Sequence, residues 1–277
     1  MPGTLYLVAT PIGNLDDMTP RAAATFGAVD FIAAEDTRVT LRLLNHLGLK
    51  KPLVSYYEHA LQKGEAILQR IEAGESCALC SDAGMPCISD PGEVIVRDAM
   101  ARGIPVVPIP AASACVTALA VSGQKTDRFV FEGFLPMQKK DRRARLDALQ
   151  TEERTVIFYE APHKLRNTLD DFAAVFGDAR PIFLARELTK LHEEGVKTTI
   201  GEAVAHYKEH DPRGEYVLIV WGKPESEPDE DSSKPDPVAI ARAYVEDGMS
   251  VSEAAKRAAK ETGSPRGKIY SALLAEQ

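Results

Sequence analysis

Short apolar runs alternate with longer amphipathic segments from Leu5 to Val121. The runs are rich in aliphatic side chains with little polar alternation, which is typical of strands buried on both faces of a parallel sheet. The segments between them have helical spacing, so the pattern predicts a mostly parallel sheet flanked by helices. The predicted strands occupy residues 5–9, 31–34, 53–56, 77–80 and 106–109.

A second series of apolar runs begins near Thr126 and predicts another sheet with helices. Its predicted strands occupy residues 129–131, 155–159, 181–185, 198–200 and 216–221. Residues 186–197 join two of these strands without a long helix, so this second sheet is predicted to be mixed. We therefore expect an α/β protein with two α/β domains and a ligand cleft between them, since ligand sites favour domain interfaces.

The composition changes sharply after Lys223 to Pro, Ser, Glu and Asp without apolar periodicity, which is typical of a flexible acidic linker. Beyond it, Ser250 and Glu253 mark a helix start and Gly263 marks a turn, in a pattern that resembles a helix-turn-helix. A small docking or dimerisation bundle is the alternative for this unit. The predicted domains are residues 1–123, residues 124–224, a linker at 225–237 and the helical unit at 238–277.

Composition and charge argue against several classes of function. The chain of 277 residues is long enough for two domains, and its net charge of −8 argues against a wholly basic, nucleic-acid-coating surface. The sequence does not open with a basic segment, an apolar stretch and a cleavage site, and it lacks a run of about 18 apolar residues that would span a membrane. We therefore expect a cytoplasmic protein without a membrane anchor.

The four cysteines include Cys77 and Cys80, whose C-x-x-C spacing also occurs in zinc sites. On a strand, residues three apart point to opposite faces, so these two thiols would not chelate one ion. We expect reduced, packed thiols and no metal.

Residues 81–92 join a predicted buried strand to a predicted helix and carry the strongest candidate chemistry. In open α/β sheets, such loops line the crevice at the carboxyl ends of the strands. Small residues at Ala83 and Gly84 would let a ligand approach the backbone closely. Because Asp82 and Asp90 stand where a phosphate loop carries a lysine, the loop suits a cationic or hydroxyl-rich ligand better. A helix cap is the alternative role for Asp90.

Three other loops are expected at the same edge of the first sheet. Residues 10–14 form a proline-glycine turn, for which an ordinary turn is the alternative. Glu35, Asp36 and Arg38 follow the second strand, where a surface ion pair with a threonine cap would explain them equally well. Small residues at 110–114 stand at the start of a predicted helix, where free backbone amides could bind a ligand carboxylate. Tight packing of the helix on a strand is the alternative reason for their small size.

A basic cluster at residues 138–145 stands out on an otherwise acidic chain. It carries five bases against one acid, which is typical of a phosphate contact and equally of a solvated helix surface. The candidate RNA-binding residues are Lys139, Lys140, Arg142, Arg143 and Arg145.

Eight short motifs follow one another along most of the chain. They are LYLVATPIGN at 5–14, AEDTR at 34–38, SDAGMPCISDPG at 81–92, VPIPAASA at 107–114, FEGFLP at 131–136, FYEAPH at 158–163, RELT at 186–189 and RGE at 213–215. In this order they resemble the tetrapyrrole (SUMT-like, class III) methylase family, and the resemblance implies that family's fold. The acidic linker and the C-terminal helices resemble those members of the family that act on ribosomal RNA.

The resemblance implies a homodimer that binds S-adenosylmethionine in the cleft between two α/β domains. It also implies methylation of a ribose 2′-hydroxyl, on a cytidine in the decoding region of 16S rRNA of the small ribosomal subunit. Met85 stands where related sequences often carry threonine, which puts in doubt a role for a hydroxyl there. By position, the implied cofactor-binding residues are Pro11, Asp82, Gly84, Ser113, Ala114, Phe134, Tyr159 and Leu188.

Methyl transfer from a sulfonium to an oxygen is an in-line displacement, so the site must hold the oxygen behind the methyl carbon and exclude water. A base, or a cation that stabilises an alkoxide, would assist this step. Ion pairing among the charged loop residues is the alternative to a catalytic role for each of them. The catalytic candidates are Glu35, Asp36, Arg38, Glu160 and Glu187.

Two other functions remain open from the sequence. A methylase of a small tetrapyrrole precursor would belong to the same family, although such a substrate needs neither the basic cluster nor the C-terminal helices. A DNA-binding regulator whose α/β lobes sense a metabolite is the second alternative, although its terminal helices carry few bases for sequence readout.

Overall fold

The computed structural model describes residues 1–57, 61–224 and 236–275. The chain divides into two compact units, Met1–Lys223 and Pro224–Gln277. Nearly all of the predicted linker, at residues 225–237, lies outside the described residues. The larger unit holds two sheets, one on each side of residue 123, and the predicted limits of the domains stay a prediction.

The first sheet has five parallel strands in the order β3-β2-β4-β1-β5. All five predicted strands are present, and β1 and β3 end one residue before their predicted ends. The strands are β1 (Leu5–Val8), β2 (Phe31–Ala34), β3 (Leu53–Ser55), β4 (Cys77–Cys80) and β5 (Val106–Ile109).

Helices follow each strand of this sheet, as the sequence pattern predicts. Thr19 caps the first helix by accepting a hydrogen bond from the amide of Ala22 at 3.1 Å, and Pro20 occupies the first helical position. A short 3₁₀ helix at Leu15–Asp17 precedes it. The helices are α1 (Pro20–Ala28), α2 (Thr37–His46), α3 (Leu61–Glu72), α4 (Glu93–Ala101) and α5 (Ala114–Val121).

The two faces of the first sheet pack into separate cores. Cys77 lies in the core with Phe31, whereas Cys80 lies in the opposite core with Ile32. The prediction that these thiols point to opposite faces is therefore confirmed. Burial raises the pKa of both thiols to about 12, because an apolar core disfavours the thiolate.

The start of α4 corrects one alternative from the sequence. Gly92, with φ of +144°, is the cap residue of this helix and has no side chain to form a cap hydrogen bond. Asp90 is not the cap, because the chain takes two further residues to turn into the helix. The Asp90 side chain instead lines the cavity described below.

The second sheet is mixed, as predicted, with the order β6-β7-β10-β8-β9. Strands β6 and β7 are parallel, and the other neighbours are antiparallel. The predicted strand at 198–200 is wrong in its limits, because Ile200 already begins a helix capped by Thr199. The strands are β6 (Phe129–Phe134), β7 (Thr155–Glu160), β8 (Pro181–Arg186), β9 (Glu194–Thr199) and β10 (Tyr216–Val220).

Three helices cover one face of this second sheet, and α5 covers part of the other. On the second face, Ala118 and Leu119 of α5 pack against Ile157, Phe183 and Val217. The helix that follows the last strand of the first sheet therefore belongs to the core of the second. The three helices of the opposite face are α6 (Lys139–Leu149), α7 (Pro162–Phe176) and α8 (Ile200–Glu209).

The smaller unit is a three-helix bundle with an alanine-rich core. Ser250 caps its second helix by accepting a hydrogen bond from the amide of Glu253, as predicted, and Gly263 ends that helix with φ of +73°. No helix among the residues that the structure describes has the length and apolarity needed to cross a membrane. The helices are α9 (Pro237–Glu246), α10 (Val251–Thr262) and α11 (Arg266–Ala275).

Gly222, just after β10, touches a neighbouring chain segment so closely that a side chain has no room. A Cβ atom there would lie 1.9 Å from the carbonyl oxygen of Glu153. We expect Gly222→Ala to lower the free energy of unfolding by about 1–3 kcal/mol, because the backbone must shift. Chemical denaturation of the full chain measures the change.

Gly27 in α1 is the matched control, because a Cβ there meets only Leu49 Cδ2, at 3.7 Å. Gly27→Ala should raise the free energy of unfolding by about 0.5–1 kcal/mol through reduced backbone entropy of the unfolded chain. Equal effects of the two substitutions would contradict the assignment of a steric contact at Gly222.

Candidate active site

One cavity of the larger unit lies where the two sheets face each other. It encloses about 310 Å³, at the lower end of the roughly 300–1,000 Å³ range of small-molecule sites. Its first wall comes from the loops after β1, β2, β4 and β5, and its second from the ends of β6, β7 and β8 and the start of β10. The carboxyl ends of parallel strands form this edge, as expected for an α/β fold.

A pair of backbone hydrogen bonds fixes the first wall. The amide of Thr10 donates to the carbonyl of Gly84 at 2.9 Å, and the amide of Gly84 donates back at 3.0 Å. Gly84 has φ of +81°, and a Cβ there would touch Ile12 Cγ2 at 3.4 Å. The loop after β4 is thereby held against the loop after β1, and both reach the cavity.

Aromatic contacts hold the second wall against α5. The Tyr159 hydroxyl accepts a hydrogen bond from the amide of Cys115 at 3.1 Å, at the start of that helix. Its ring makes edge-to-face contacts with Phe131 and Phe134, with centroids 5.0 and 5.7 Å apart. Burial raises the pKa of Tyr159, so the hydroxyl stays protonated and keeps a hydrogen to donate.

Carboxylates dominate the first wall. Desolvation is the main cause that raises the pKa of Asp82 and of Asp90, against weaker effects of hydrogen bonds and, for Asp82, of the nearby charges of Arg38 and Arg42. Glu35 lies beside them and accepts a hydrogen bond from the amide of Asp82 at 3.4 Å. Ionised carboxylates that are partly removed from water favour a cationic ligand, because such a ligand restores the interactions lost with the solvent.

Asp36 and Arg38 do not line the cavity, although both are catalytic candidates. Their side chains form an ion pair at 2.6 Å, with Arg38 almost fully exposed. Asp36 also caps α2 by accepting a hydrogen bond from the Arg38 amide at 2.8 Å, so the cap is Asp36 and not a threonine. The hydrogen bonds from Arg38 lower the pKa of Asp36 to about 2. Both residues have the structural role that the sequence offered as the alternative, and a catalytic role for them stays a prediction.

The loop after β8 brings a lysine between two carboxylates of the cavity. Lys190 Nζ donates to Glu187 Oε1 at 2.8 Å and to Glu215 Oε2 at 2.9 Å. Its hydrogen bond is the main reason that the pKa of Glu187 is lowered. Gly214, with φ of +76°, leaves room for this arrangement, since a Cβ there would lie 2.4 Å from Glu187 Cγ.

The backbone at both walls is strained. Four non-glycine residues of the described chain have positive φ, namely Cys87, Ser89, Glu187 and Thr189. All four belong to the loops after β4 and β8 that contribute to the cavity. Such conformations cost roughly 1–3 kcal/mol each, persist only where the surrounding structure holds them, and cluster at functional sites.

A buried chain of hydrogen bonds links the cavity to the basic helix α6. Glu160 lines the cavity, is only 3% exposed and accepts a hydrogen bond from the Thr168 hydroxyl. Arg142 of α6 donates to that same hydroxyl at 2.8 Å and to Asp171 Oδ2 at 2.6 Å. Of the five candidate RNA-binding residues, Arg142 therefore contributes to the interior of the second lobe, which is the part of the larger unit that is built on the second sheet.

The remaining members of the basic cluster lie on α6. Arg143 pairs with Asp147 at 2.9 Å, and Arg145 pairs with Glu132. Lys139 and Lys140 are exposed at the start of the helix. RNA binding by the cluster stays a prediction, and the two lysines are its most accessible charges.

Seven of the eight predicted cofactor-binding residues line the cavity, and the eighth, Pro11, does not. The next residue, Ile12, does line the cavity, so the predicted loop reaches the cavity although Pro11 itself does not. Cofactor binding by all eight stays a prediction. Of the five catalytic candidates, Glu35, Glu160 and Glu187 line the cavity.

Two charged residues of the cavity, Lys190 and Glu215, had no predicted role. Lys190 directly follows the RELT motif and Glu215 ends the RGE motif, so the motifs marked both positions. Their meeting depends on the pairing of β8 with β10, which aligns Arg186 with Tyr216. That pairing is a tertiary contact between segments far apart in the sequence.

The class of protein follows from comparison with known families. Residues 4–204 match the model of the tetrapyrrole (corrin/porphyrin) methylases. The chain belongs to this family, as the eight motifs indicated.

Two curated relatives cover almost the whole chain and carry one name. The ribosomal RNA small subunit methyltransferase I of Synechocystis sp. is 45% identical over 98% of both chains. The protein of that name from Halalkalibacterium halodurans is 48% identical and covers 97% of this chain and 93% of its own.

A solved structure supports the fold. Uroporphyrin-III C-methyltransferase from Thermus thermophilus, complexed with S-adenosyl homocysteine, has a TM-score of 0.57 at 16% identity, over 79% of this chain and 97% of its own. The predicted fold is therefore confirmed.

The raised pKa of Asp90 predicts a pH-dependent cost of folding. A carboxyl whose pKa is raised on folding favours the folded state at low pH and disfavours it as pH rises through the folded-state pKa. We expect Asp90→Asn to raise the free energy of unfolding at neutral pH, with the gain shrinking under acidic conditions. Urea denaturation of both proteins at neutral and at acidic pH measures the free energy of unfolding. A gain that persists in acid would contradict the ionisation of buried Asp90 as its cause.

The contacts of Arg142 predict a loss of stability on its removal. Arg142→Ala should lower the free energy of unfolding by about 1.5–3 kcal/mol, because two hydrogen bonds of a charged group are lost. Lys140→Ala, at an exposed position of the same helix, should change it by less than about 0.5 kcal/mol. Guanidinium denaturation measures both, and an unchanged stability of Arg142→Ala would show that its buried contacts do not hold the lobe.

Proposed function

We propose that this protein methylates ribosomal RNA of the small subunit, with S-adenosylmethionine as the donor. The observation that carries the proposal is the extent of the likeness to the relatives named ribosomal RNA small subunit methyltransferase I. It spans 98% of the chain in one relative, and therefore includes the three-helix unit. The likeness to the uroporphyrin methyltransferase covers only 79% of the chain.

The target in this proposal is a ribose 2′-hydroxyl, on a cytidine in the decoding region of 16S rRNA. The resemblance of the eight motifs to the family supports this target. The protein acts as a homodimer in the cytoplasm. Val116 and Val121 of α5 are 54% and 60% exposed, and such apolar side chains suit a contact with a second copy.

The chemistry of the cavity fits the proposed donor. When bound, S-adenosylmethionine supplies an electrophilic methyl group on a sulfonium. Asp82 and Asp90 would lie near its positive charges, and Gly84 would allow close approach of the backbone. The start of α5 at Ser113 and Ala114 would place helix amides near its carboxylate.

The chain's own part in the reaction is to hold the acceptor and exclude water. The 2′-oxygen must lie behind the methyl carbon, in line with the carbon–sulfur bond that breaks. The rings of Phe134 and Tyr159, in edge-to-face contact with each other, give the second wall an apolar surface that would help to exclude water from the bound substrate. Lys139 and Lys140, exposed at the start of α6, would contact phosphates of the RNA.

Transfer of a labelled methyl group tests the proposal. Small subunits from cells that lack this modification are incubated with the protein and methyl-labelled S-adenosylmethionine, and free uroporphyrinogen is incubated in parallel. We expect label in 16S rRNA, in a nuclease-resistant dinucleotide that contains cytidine, because a 2′-O-methyl group blocks cleavage at that position. Calorimetry should show binding of S-adenosyl homocysteine to the free protein.

Each alternative predicts a different outcome. Label in the tetrapyrrole alone would support the precursor methylase and reject the RNA substrate. Label in the base of a nucleotide would reject the 2′-hydroxyl as the acceptor. Sequence-selective binding of duplex DNA without any transfer would favour the regulator.

A further inference from the structure

The charged groups of the cavity are strongly unbalanced. Lys190 is the one cationic side chain among the described residues that line it. The lining carboxylates come from both lobes. They are Glu35, Asp82, Asp90, Glu160, Glu187 and Glu215. An anionic oxygen that enters this site therefore has a single positive side chain to meet.

Lys190 has two hydrogen-bond acceptors among the residues that the structure describes, which leaves the third donor of its ammonium without one there. An ammonium has three N–H groups, and Lys190 directs two of them to Glu187 Oε1 and Glu215 Oε2. The stem is held as well, because Gly13 approaches it so closely that a Cβ there would lie 2.5 Å from Lys190 Cγ. One N–H group remains for one acceptor in the cavity.

The loop that carries Lys190 is built with strain. Glu187 and Thr189 have φ of +52° and +65°, in the region that non-glycine residues rarely adopt. A salt bridge on the surface does not require such a backbone. An observed outlier of this kind supports a functional requirement on the position of the group that it holds.

Lys190 stays protonated in this setting. Partial burial lowers its pKa, but the hydrogen bonds to Glu187 and Glu215 outweigh this effect and raise the pKa overall. A permanently charged ammonium is unsuited to act as a base. It is suited to stabilise negative charge that develops on an oxygen.

We propose that Lys190 is a catalytic residue that donates its third N–H to the ribose oxygen that receives the methyl group. This inference rests on the proposed function. The six carboxylates that line the same cavity would repel a phosphate, so a ribose hydroxyl is the better partner for this single donor.

The step balances in atoms and charge. The hydroxyl proton leaves first, to water at the mouth of the cavity, where the Glu215 side chain is 78% exposed. An electron pair of the resulting alkoxide oxygen then forms the bond to the methyl carbon, and the carbon–sulfur pair stays on sulfur, which becomes a neutral thioether. Lys190 keeps its own proton throughout and stabilises the alkoxide through its third N–H.

Single-turnover transfer to undermethylated small subunits tests this role. With saturating subunits and donor, Lys190→Met should slow transfer by about 10²–10³-fold, as the loss of one donor to a developing oxyanion does. Its affinity for S-adenosyl homocysteine, measured by calorimetry, should stay within about threefold of the wild type, because the cofactor is bound by other groups. Thermal denaturation confirms that the variant is folded.

Chemical rescue separates catalysis from support of the loop. Lys190→Ala leaves a space in which added ethylammonium should restore part of the rate, and a tetraalkylammonium ion, which has no N–H, should not. Lys208→Met removes an exposed lysine of α8 and should keep the wild-type rate.

Three results would overturn the proposal. They are a Lys190→Met rate within about threefold of the wild type, a loss of cofactor affinity as large as the loss of rate, and absence of rescue by ethylammonium. Failure of the proposed function has a different signature, because the wild type itself would then leave the small subunit unlabelled.

Discussion

The packing of α5 onto the second sheet is the contact on which the cavity depends. This helix leaves the last strand of the first sheet, yet Ala118 and Leu119 are buried against strands of the second. Burial of a leucine side chain contributes about 1.5–3 kcal/mol, so even this short helix ties the two lobes together. The amide of Cys115, bonded to the Tyr159 hydroxyl, sets the distance between the walls at the helix start.

With the lobes fixed, the cavity combines several features that oppose stability. Carboxylates with raised pKa values lie on one wall, and residues with positive φ lie on both. These features cost free energy in the ligand-free protein and are compensated by the large cores of the two sheets. A cationic ligand would offset part of this free-energy cost, because its charge would neutralise the carboxylates. That gain would contribute to the affinity for the ligand without new apolar contacts.

The second lobe also connects its outer surface to the cavity. Arg142 lies on α6, whose sequence is typical of a solvated basic helix surface. Its guanidinium nevertheless points inward and donates hydrogen bonds to Thr168 and Asp171. Through Thr168 it fixes Glu160, which faces the cavity. A change at the basic helix can therefore alter the cavity wall directly, because only one hydroxyl separates the two charged groups.

The sequence by itself determined the strands of the first sheet, the mixed character of the second, the family and the loops that form the cavity. Apolar periodicity and the eight motifs carry that information locally, because buried parallel strands and glycine turns each need particular residues. The tertiary structure decided which charges meet. Asp36 and Arg38 pair on the surface, Asp90 enters the cavity instead of capping α4, and Lys190 lies between Glu187 and Glu215. Such pairings depend on sheet order and strand register, which bring together residues far apart in the chain and leave no periodic signal in it.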